Sequence, residues 1–205
     1  MAGRVRRTRE HRREEILRAA TDAFAERGYV AARMHDIAQR AGVADGTLYL
    51  YFKGKEHLLV SLLEERARAF LVRARQDCAA AADPGEKLRR VIQRHLDSLE
   101  RDRALACVFQ IELRHSRRFL RRIAQGVVAE YLQLMQGIIA EGVENGDLRR
   151  DVAPEVAARV VFGAVDELVT AWILTRHPGH LAGASSQLVR MLLEGLRART
   201  PGGEA

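Results

Sequence analysis

Aromatic side chains are scarce, 5% of 205 residues, with one tryptophan. Only four prolines occur, so long helices can run unbroken. The two cysteines, Cys78 and Cys107, stand at no metal-ligand spacing. Both fall in apolar helical contexts and read as buried free thiols of a reducing compartment. No run of 18 apolar residues exists, so no membrane span or membrane partner is expected. The basic N-terminus has no apolar segment after it, which argues against a secretory signal and for a cytoplasmic protein.

What is present favours helices. Hydrophobic residues make up 47% and charged residues 30%, a globular balance. Ala, Leu, Arg and Glu dominate, and these are strong helix formers, so an all-α fold is expected. The net charge of +7 suits an anionic partner. Much of it sits in residues 1–13, where Arg4, Arg6, Arg7, Arg9, Arg12 and Arg13 face Glu10 alone. This stretch is expected to be a disordered basic arm that adds salt-dependent phosphate contacts.

The prolines punctuate. Asp83-Pro84 reads as an N-cap followed by proline at the first helical position, and Ala153-Pro154 opens a helix the same way. His177-Pro178-Gly179 closes one, and Thr200-Pro201-Gly202-Gly203 is a tail. In Ile16, Leu17, Ala20, Ala23 and Phe24 the steps of three and four put one apolar stripe on a core face. Gly28 is the C-cap candidate of that helix. Further helices are expected over 35–41, 46–52, 55–81, 84–101, 103–114, 117–144, 154–176 and 183–199, about nine in all. Asn145-Gly146-Asp147 is a turn. No strand alternation and no internal repeat compete.

The informative segment runs from Ala38 to Phe52. Two short helices meet at Gly42, where glycine supplies the left-handed backbone of the turn. Ile37, Ala38, Ala41, Val43, Leu48 and Phe52 form a small apolar core, with small residues where the helices cross. This is the helix-turn-helix plan, in which the second helix enters the major groove. Leu48 and Phe52, four apart, claim the inward face. Tyr49 and Tyr51 are thereby turned outward, where phenols bond phosphates and pack on thymine methyls. Lys55 opens the next helix, a position suited to a phosphate.

These residues resemble the TetR family of repressors. The carrying motifs are Asp36-Ile37-Ala38, Ala41-Gly42-Val43, Gly46-Thr47-Leu48-Tyr49, Tyr51-Phe52 and Lys55-Glu56-His57-Leu58, with Gly28-Tyr29 before them. Ala32 and Arg33 stand where the family often carries a capping Thr or Ser, so a hydroxyl is replaced by an arginine. The resemblance implies that Arg33, His35, Thr47, Tyr49 and Tyr51 contact double-stranded operator DNA. Lys55 would hold its backbone, and Gly46 would allow close approach. It also implies a homodimer on a two-fold operator, with half-sites about 34–36 Å or a multiple apart. The domains expected are 14–54 for DNA binding and 55–200 for ligand binding and dimerisation.

The C-terminal part offers apolar residues and an arginine cluster. Phe109, Leu113, Ile123, Val127, Tyr131, Phe162 and Trp172 are candidates to line an apolar cavity, although the same stripe serves a filled core. Arg114, Arg117, Arg118, Arg121 and Arg122 lie within nine residues with few acids nearby, which fits an amphiphile carrying phosphates. Gln110-Ile111-Glu112-Leu113-Arg114, Gly137-Ile138-Ile139-Ala140-Glu141-Gly142 and Phe162-Gly163-Ala164-Val165-Asp166-Glu167 resemble the TetR-type fatty-acid-degradation repressors, which release DNA on binding long-chain acyl-coenzyme A. The resemblance implies that effector, with Arg114, Arg118, Arg121 and Arg122 on the coenzyme A phosphates, and no cofactor. Asp166 and Glu167 would need partners if buried, Arg114 or His115 being candidates. Leu168, Leu188, Met191, Leu192 and Leu196 serve a dimer interface or intramolecular packing.

Rival readings are weaker. Glu112-x-x-His115 has the spacing of helical di-iron sites, but those need a second such pair and two more carboxylates. His177-x-x-His180 lacks further ligands. No catalytic triad, phosphate-binding glycine loop or nucleophilic cysteine setting appears, so no enzyme is expected. A regulator of drug efflux would want more aromatic residues, and a lipid carrier would not need the recognition segment.

Overall fold

The computed structural model describes residues 2–112, 117–175 and 179–198, without the side chains of 2–8, Arg118 and Ala182. The chain is all-α. Its helices are α1 (Ala2–Ala31), α2 (Met34–Arg40), α3 (Asp45–Tyr51), α4 (Lys55–Ala79), α5 (Pro84–Arg101), α6 (Arg103–Gln110), α7 (Arg117–Gln125), α8 (Val127–Asn145), α9 (Pro154–Leu174) and α10 (Leu181–Leu196). The helix expected over 117–144 is two, because Gly126 takes φ −98° and ψ −111° between α7 and α8. Residues 2–13, expected as a disordered arm, carry helical backbone continuous with α1. His11 and Arg12 both pair with Glu15 one turn on, which supports that helix.

The chain divides into two units. The first holds the residues up to Arg66 together with Arg103–Ile123; the second holds Ala67–Asp102 and the residues from Ala124 on. The division therefore runs through α4 rather than at the expected 54/55 boundary. In the first unit α6 lies against α1, and α2 packs on both α1 and α3. The stripe Ile16, Leu17, Ala20, Ala23 and Phe24 is buried as its spacing requires, together with Ile37, Ala38, Leu48 and Phe52.

In the second unit α8 packs on α9, α5 on α8 and α10, and α9 on α10. Asp83 caps α5 by accepting from the Glu86 N–H at 2.8 Å, with Pro84 just inside. Gly146 ends α8 with φ 83°. Gly142 is required for a different reason: a Cβ there would stand 2.6 Å from Leu148. Beyond it, Leu148 and Arg197 form an isolated antiparallel bridge, which ends α10 short of the expected residue 199. The first turn of α10 is capped by α5: Glu100 accepts from the Leu181 N–H at 2.9 Å. No helix among the described residues is long and apolar enough to cross a membrane.

Candidate functional site

The turn between α2 and α3 is held by backbone. Gly42 has φ 66°, and the N–H groups of Gly42 and Val43 donate to Gln39 and Ala38 at 3.1 and 3.0 Å. With Leu48 and Phe52 buried, α3 presents Gly46, Tyr49 and Leu50 to solvent; Thr47 and Tyr51 are half-buried. Leu50 is 79% exposed, which the sequence reading passed over. It sits two residues from buried Leu48, and two residues on a helix is over half a turn. Tyr51 faces outward only in part, since the Arg9 guanidinium stands 5.9 Å from its ring centre.

Arg33 caps nothing: it precedes α2 in extended conformation, exposed and without a side-chain bond to the helix. His35 is exposed, and its Nδ1 lies 3.0 Å from Asp45. That carboxylate favours the charged imidazole and raises its pKa above the usual value. Arg33, His35, Asp45, Tyr49 and Lys55 share an open concavity of about 590 Å³. Around it Arg27 pairs with Asp36, and Arg40 with Glu26 through two bonds of 2.8 and 2.5 Å. These arginines fasten α2 to α1. Lys55 is also tied inward, donating to the carbonyls of Val30 and Ala32 at 3.0 and 2.9 Å and standing 4.7 Å over the Tyr29 ring.

The chain segment feeding this head is clamped from a distance. Gly28 bends α1 with φ 74° and ψ 159°, a conformation costly for any residue with a Cβ. Just past the bend, the Tyr29 N–H donates to Glu112 Oε2 at 2.6 Å. Glu112 is buried, and the Tyr29 ring packs edge-on against Phe119 at 5.3 Å. Glu112 therefore acts as an acceptor for a helix end. His115, which shares the rejected Glu-x-x-His spacing with it, lies outside the described residues; those contain no group of three or more potential metal ligands.

The second unit holds a cluster of rings. Tyr131 (α8) meets Phe70 (α4) at 5.2 Å, His95 (α5) at 5.3 Å and Phe162 (α9) at 5.9 Å, all near edge-on. Phe70 lies 5.6 Å from His95. Within this apolar setting the His95 Nδ1 and the Tyr131 hydroxyl are 3.1 Å apart. Burial drives the His95 pKa down to about 4, against a smaller opposing pull from Asp166, and raises that of Tyr131. Tyr131 is buried, whereas Phe70, His95 and Phe162 keep uncovered surface. His95 is half-buried, and the shift of its pKa comes from desolvation by the groups around it.

Of the apolar candidates, Tyr131 and Phe162 come together here. Val127 is buried one turn before Tyr131 on α8. Trp172 lies at the end of α9 and donates to the Gly179 carbonyl at 2.9 Å. Phe109 and Ile123 belong to the first unit, and Leu113 lies outside the described residues. Of the arginines, Arg121 and Arg122 are exposed, Arg114 lies outside the described residues, and the Arg118 side chain is not described. Arg122 has an acid after all: its Nε donates to Glu64 of α4 at 2.9 Å. Glu167 is exposed and needs no buried partner.

Phe70 and His95 were missed from sequence, though a signal existed. His95 falls in the buried stripe of Val91, Ile92, Leu96 and Leu99, and Phe70 falls seven residues after buried Leu63. Both read as ordinary core until the partner helices are known.

A two-helix reading head on one unit and a helical second unit with a ring cluster define a helix-turn-helix regulator. Comparison with known proteins is consistent with this. Residues 16–62 match the profile of bacterial regulatory proteins of the tetR family, and residues 63–195 match YsiA-like protein, C-terminal region. The chain belongs to the TetR family: it is a transcriptional regulator and not an enzyme. It is 37% identical over 182 residues to the fatty acid metabolism regulator protein of Bacillus subtilis (strain 168), covering 89% of this chain and 94% of that one. The fatty acid degradation regulator FadR from Bacillus halodurans superposes with a TM-score of 0.86 at 37% identity, over 92% of this chain and 97% of the other. A transcriptional regulator FadR from Bacillus subtilis, solved in complex with stearoyl-CoA, gives 0.84 at 37% identity, over 90% and 99%.

Proposed function

We propose that this protein is a cytoplasmic, homodimeric repressor of fatty-acid-degradation genes that leaves its operator when a long-chain acyl-CoA binds. The observation carrying the effector is that the likeness to a regulator solved with stearoyl-CoA spans both units of this chain. Arg33, His35, Gly46, Thr47 and Tyr49, with the free edge of Tyr51, meet DNA. Lys55 uses two ammonium hydrogens on backbone carbonyls and keeps the third for a phosphate. Leu50, exposed beside Tyr49, packs on a thymine methyl.

The acyl chain enters the second unit beside Phe70, Tyr131 and Phe162. Each methylene buried contributes about 0.8 kcal/mol before the entropy of binding is met. Arg114, Arg118, Arg121 and Arg122 are the set proposed for the coenzyme A phosphates. Phe70 lies on α4, the helix that begins at Lys55, so occupancy biases the set of that helix. Ligand and DNA then weaken each other reciprocally. Val156 and Val160 on α9 and Met191 on α10, each more than half exposed, offer an apolar face for a second copy.

The test is fluorescence anisotropy of the protein on DNA from its own promoter region, titrated with stearoyl-CoA, free stearate and coenzyme A. Release by the thioester alone is expected. DNA binding that no thioester reverses would overturn the effector assignment and leave the family membership standing.

A further inference from the structure

A purely hydrocarbon pocket has no use for a histidine and a phenol, yet the centre of the ring cluster holds both. Their hydrogens can be counted. Burial keeps His95 uncharged near neutral pH, so its ring carries one N–H, and Tyr131 stays protonated with one O–H. A single hydrogen bond, of 3.1 Å, joins the two side chains. If the hydroxyl donates to Nδ1, the N–H on Nε2 is left over. If Nδ1 donates to the phenol oxygen, the O–H is left over. In either tautomer one polar hydrogen remains. Neither side chain has a further hydrogen-bond partner among the described residues.

A donor set among apolar rings with no protein partner is open to a guest, and a site that holds one prefers a guest with an acceptor. The guest must otherwise be apolar, because Phe70 and Phe162 pack around the pair at 5.2–5.9 Å. Phe70, His95 and Phe162 each keep uncovered surface, and they meet at the pair that holds this spare hydrogen. An oxygen acceptor attached to a hydrocarbon chain meets both conditions. Carboxylates are disfavoured, since a charged group enclosed by rings without a cation pays full desolvation.

We propose that the His95–Tyr131 pair is the polar anchor of the effector site, donating its spare hydrogen to the carbonyl oxygen of an acyl thioester while Phe70 and Phe162 hold the adjoining methylenes. This rests on the acyl-CoA reading above and adds to it the part of the ligand that is recognised. The pair selects acyl thioesters over otherwise identical chains that lack the carbonyl.

The experiment compares stearoyl-CoA with S-octadecyl-CoA, the thioether without the carbonyl. It reads ligand binding by calorimetry and DNA release by anisotropy. Wild-type protein is expected to favour the thioester by about 10-fold, the worth of one neutral hydrogen bond. The double variant His95→Phe/Tyr131→Phe keeps a ring at both positions and removes both donors. It is expected to abolish that preference while binding the thioether within about 2-fold of wild type. Equal response of wild type to both ligands overturns the anchor and leaves the acyl-CoA reading intact. Preference retained in the double variant overturns it too. Response to neither ligand removes both readings. Should the double variant fail to fold, the wild-type comparison of the two ligands decides alone.

Discussion

The two units use polar groups in opposite ways. In the first, apart from buried Glu112, the charges described lie at the surface and organise backbone: Arg27 and Arg40 tie α2 to α1, and Lys55 closes the end of α1. In the second, the informative polar pair is set among rings, where half-buried His95 and buried Tyr131 bond beside Phe70 and Phe162. Exposed pairs are worth little energy but set orientation; an enclosed pair is costly unless satisfied, and that cost makes it selective. A reading head needs shape and charge that water can reach. An effector site needs specificity away from water.

The contrast can be broken most forcefully in the interior. Gly142→Val places a branched side chain where a Cβ alone would meet Leu148 at 2.6 Å. Overpacking of this kind should cost about 3 kcal/mol, read as a lower denaturation midpoint of purified protein. An unchanged midpoint would mean that α8 and the Leu148 segment yield freely.

Next in size is the pH response of the buried histidine. In the folded protein its pKa is lowered to about 4, while the unfolded chain binds the proton near 6.5. The stability this contributes is complete above pH 6.5 and is lost as pH falls from there towards 4. Between pH 7 and 5 the loss should be about 2 kcal/mol, and His95→Phe should flatten that slope. Parallel stability curves for wild type and His95→Phe would contradict the desolvation of this ring.

Glu112→Gln sharpens the comparison inside the first unit, where this carboxylate is buried. Replacing a carboxylate by an amide at the 2.6 Å bond to the Tyr29 N–H should cost about 1 kcal/mol. Operator affinity should fall with stability, because that bond holds the chain entering α2. A fall in stability without a change in DNA binding would separate the clamp from the reading head.

The smallest effect is expected at the surface. Arg122→Ala removes an ion pair whose arginine is 58% exposed, and stability should change by less than about 1 kcal/mol. A thioester response that falls 10-fold in this variant would place Arg122 on the phosphates instead (about 1.4 kcal/mol).

How much of this was legible depended on distance along the chain. The reading head spans residues 34–52, so spacing alone placed Ile37, Ala38, Leu48 and Phe52 inside and Tyr49 outside. Tyr51 was half right: the Arg9 guanidinium covers one face of its ring, an approach from a turn of α1 read as a disordered arm. The expected helix break at Gly146 and the caps at Asp83-Pro84 and Ala153-Pro154 held, since each is a local backbone preference. The break at Gly126 was not foreseen, because an isolated glycine inside a periodic stretch is usually carried along.

The sequence by itself determined most of the helices, the crossing of α2 and α3 and the family, because these rest on contacts a few residues apart and on motifs in fixed order. Tertiary structure decided that Glu112 serves the Tyr29 amide 83 residues away, and that α4, α5, α8 and α9 bring Phe70, His95, Tyr131 and Phe162 into one cluster. A helical stripe states only that a residue faces inward. Which other stripe it meets is set by how helices far apart in sequence pack, and there an ordinary core histidine acquires a phenol for a partner and a hydrogen to spare.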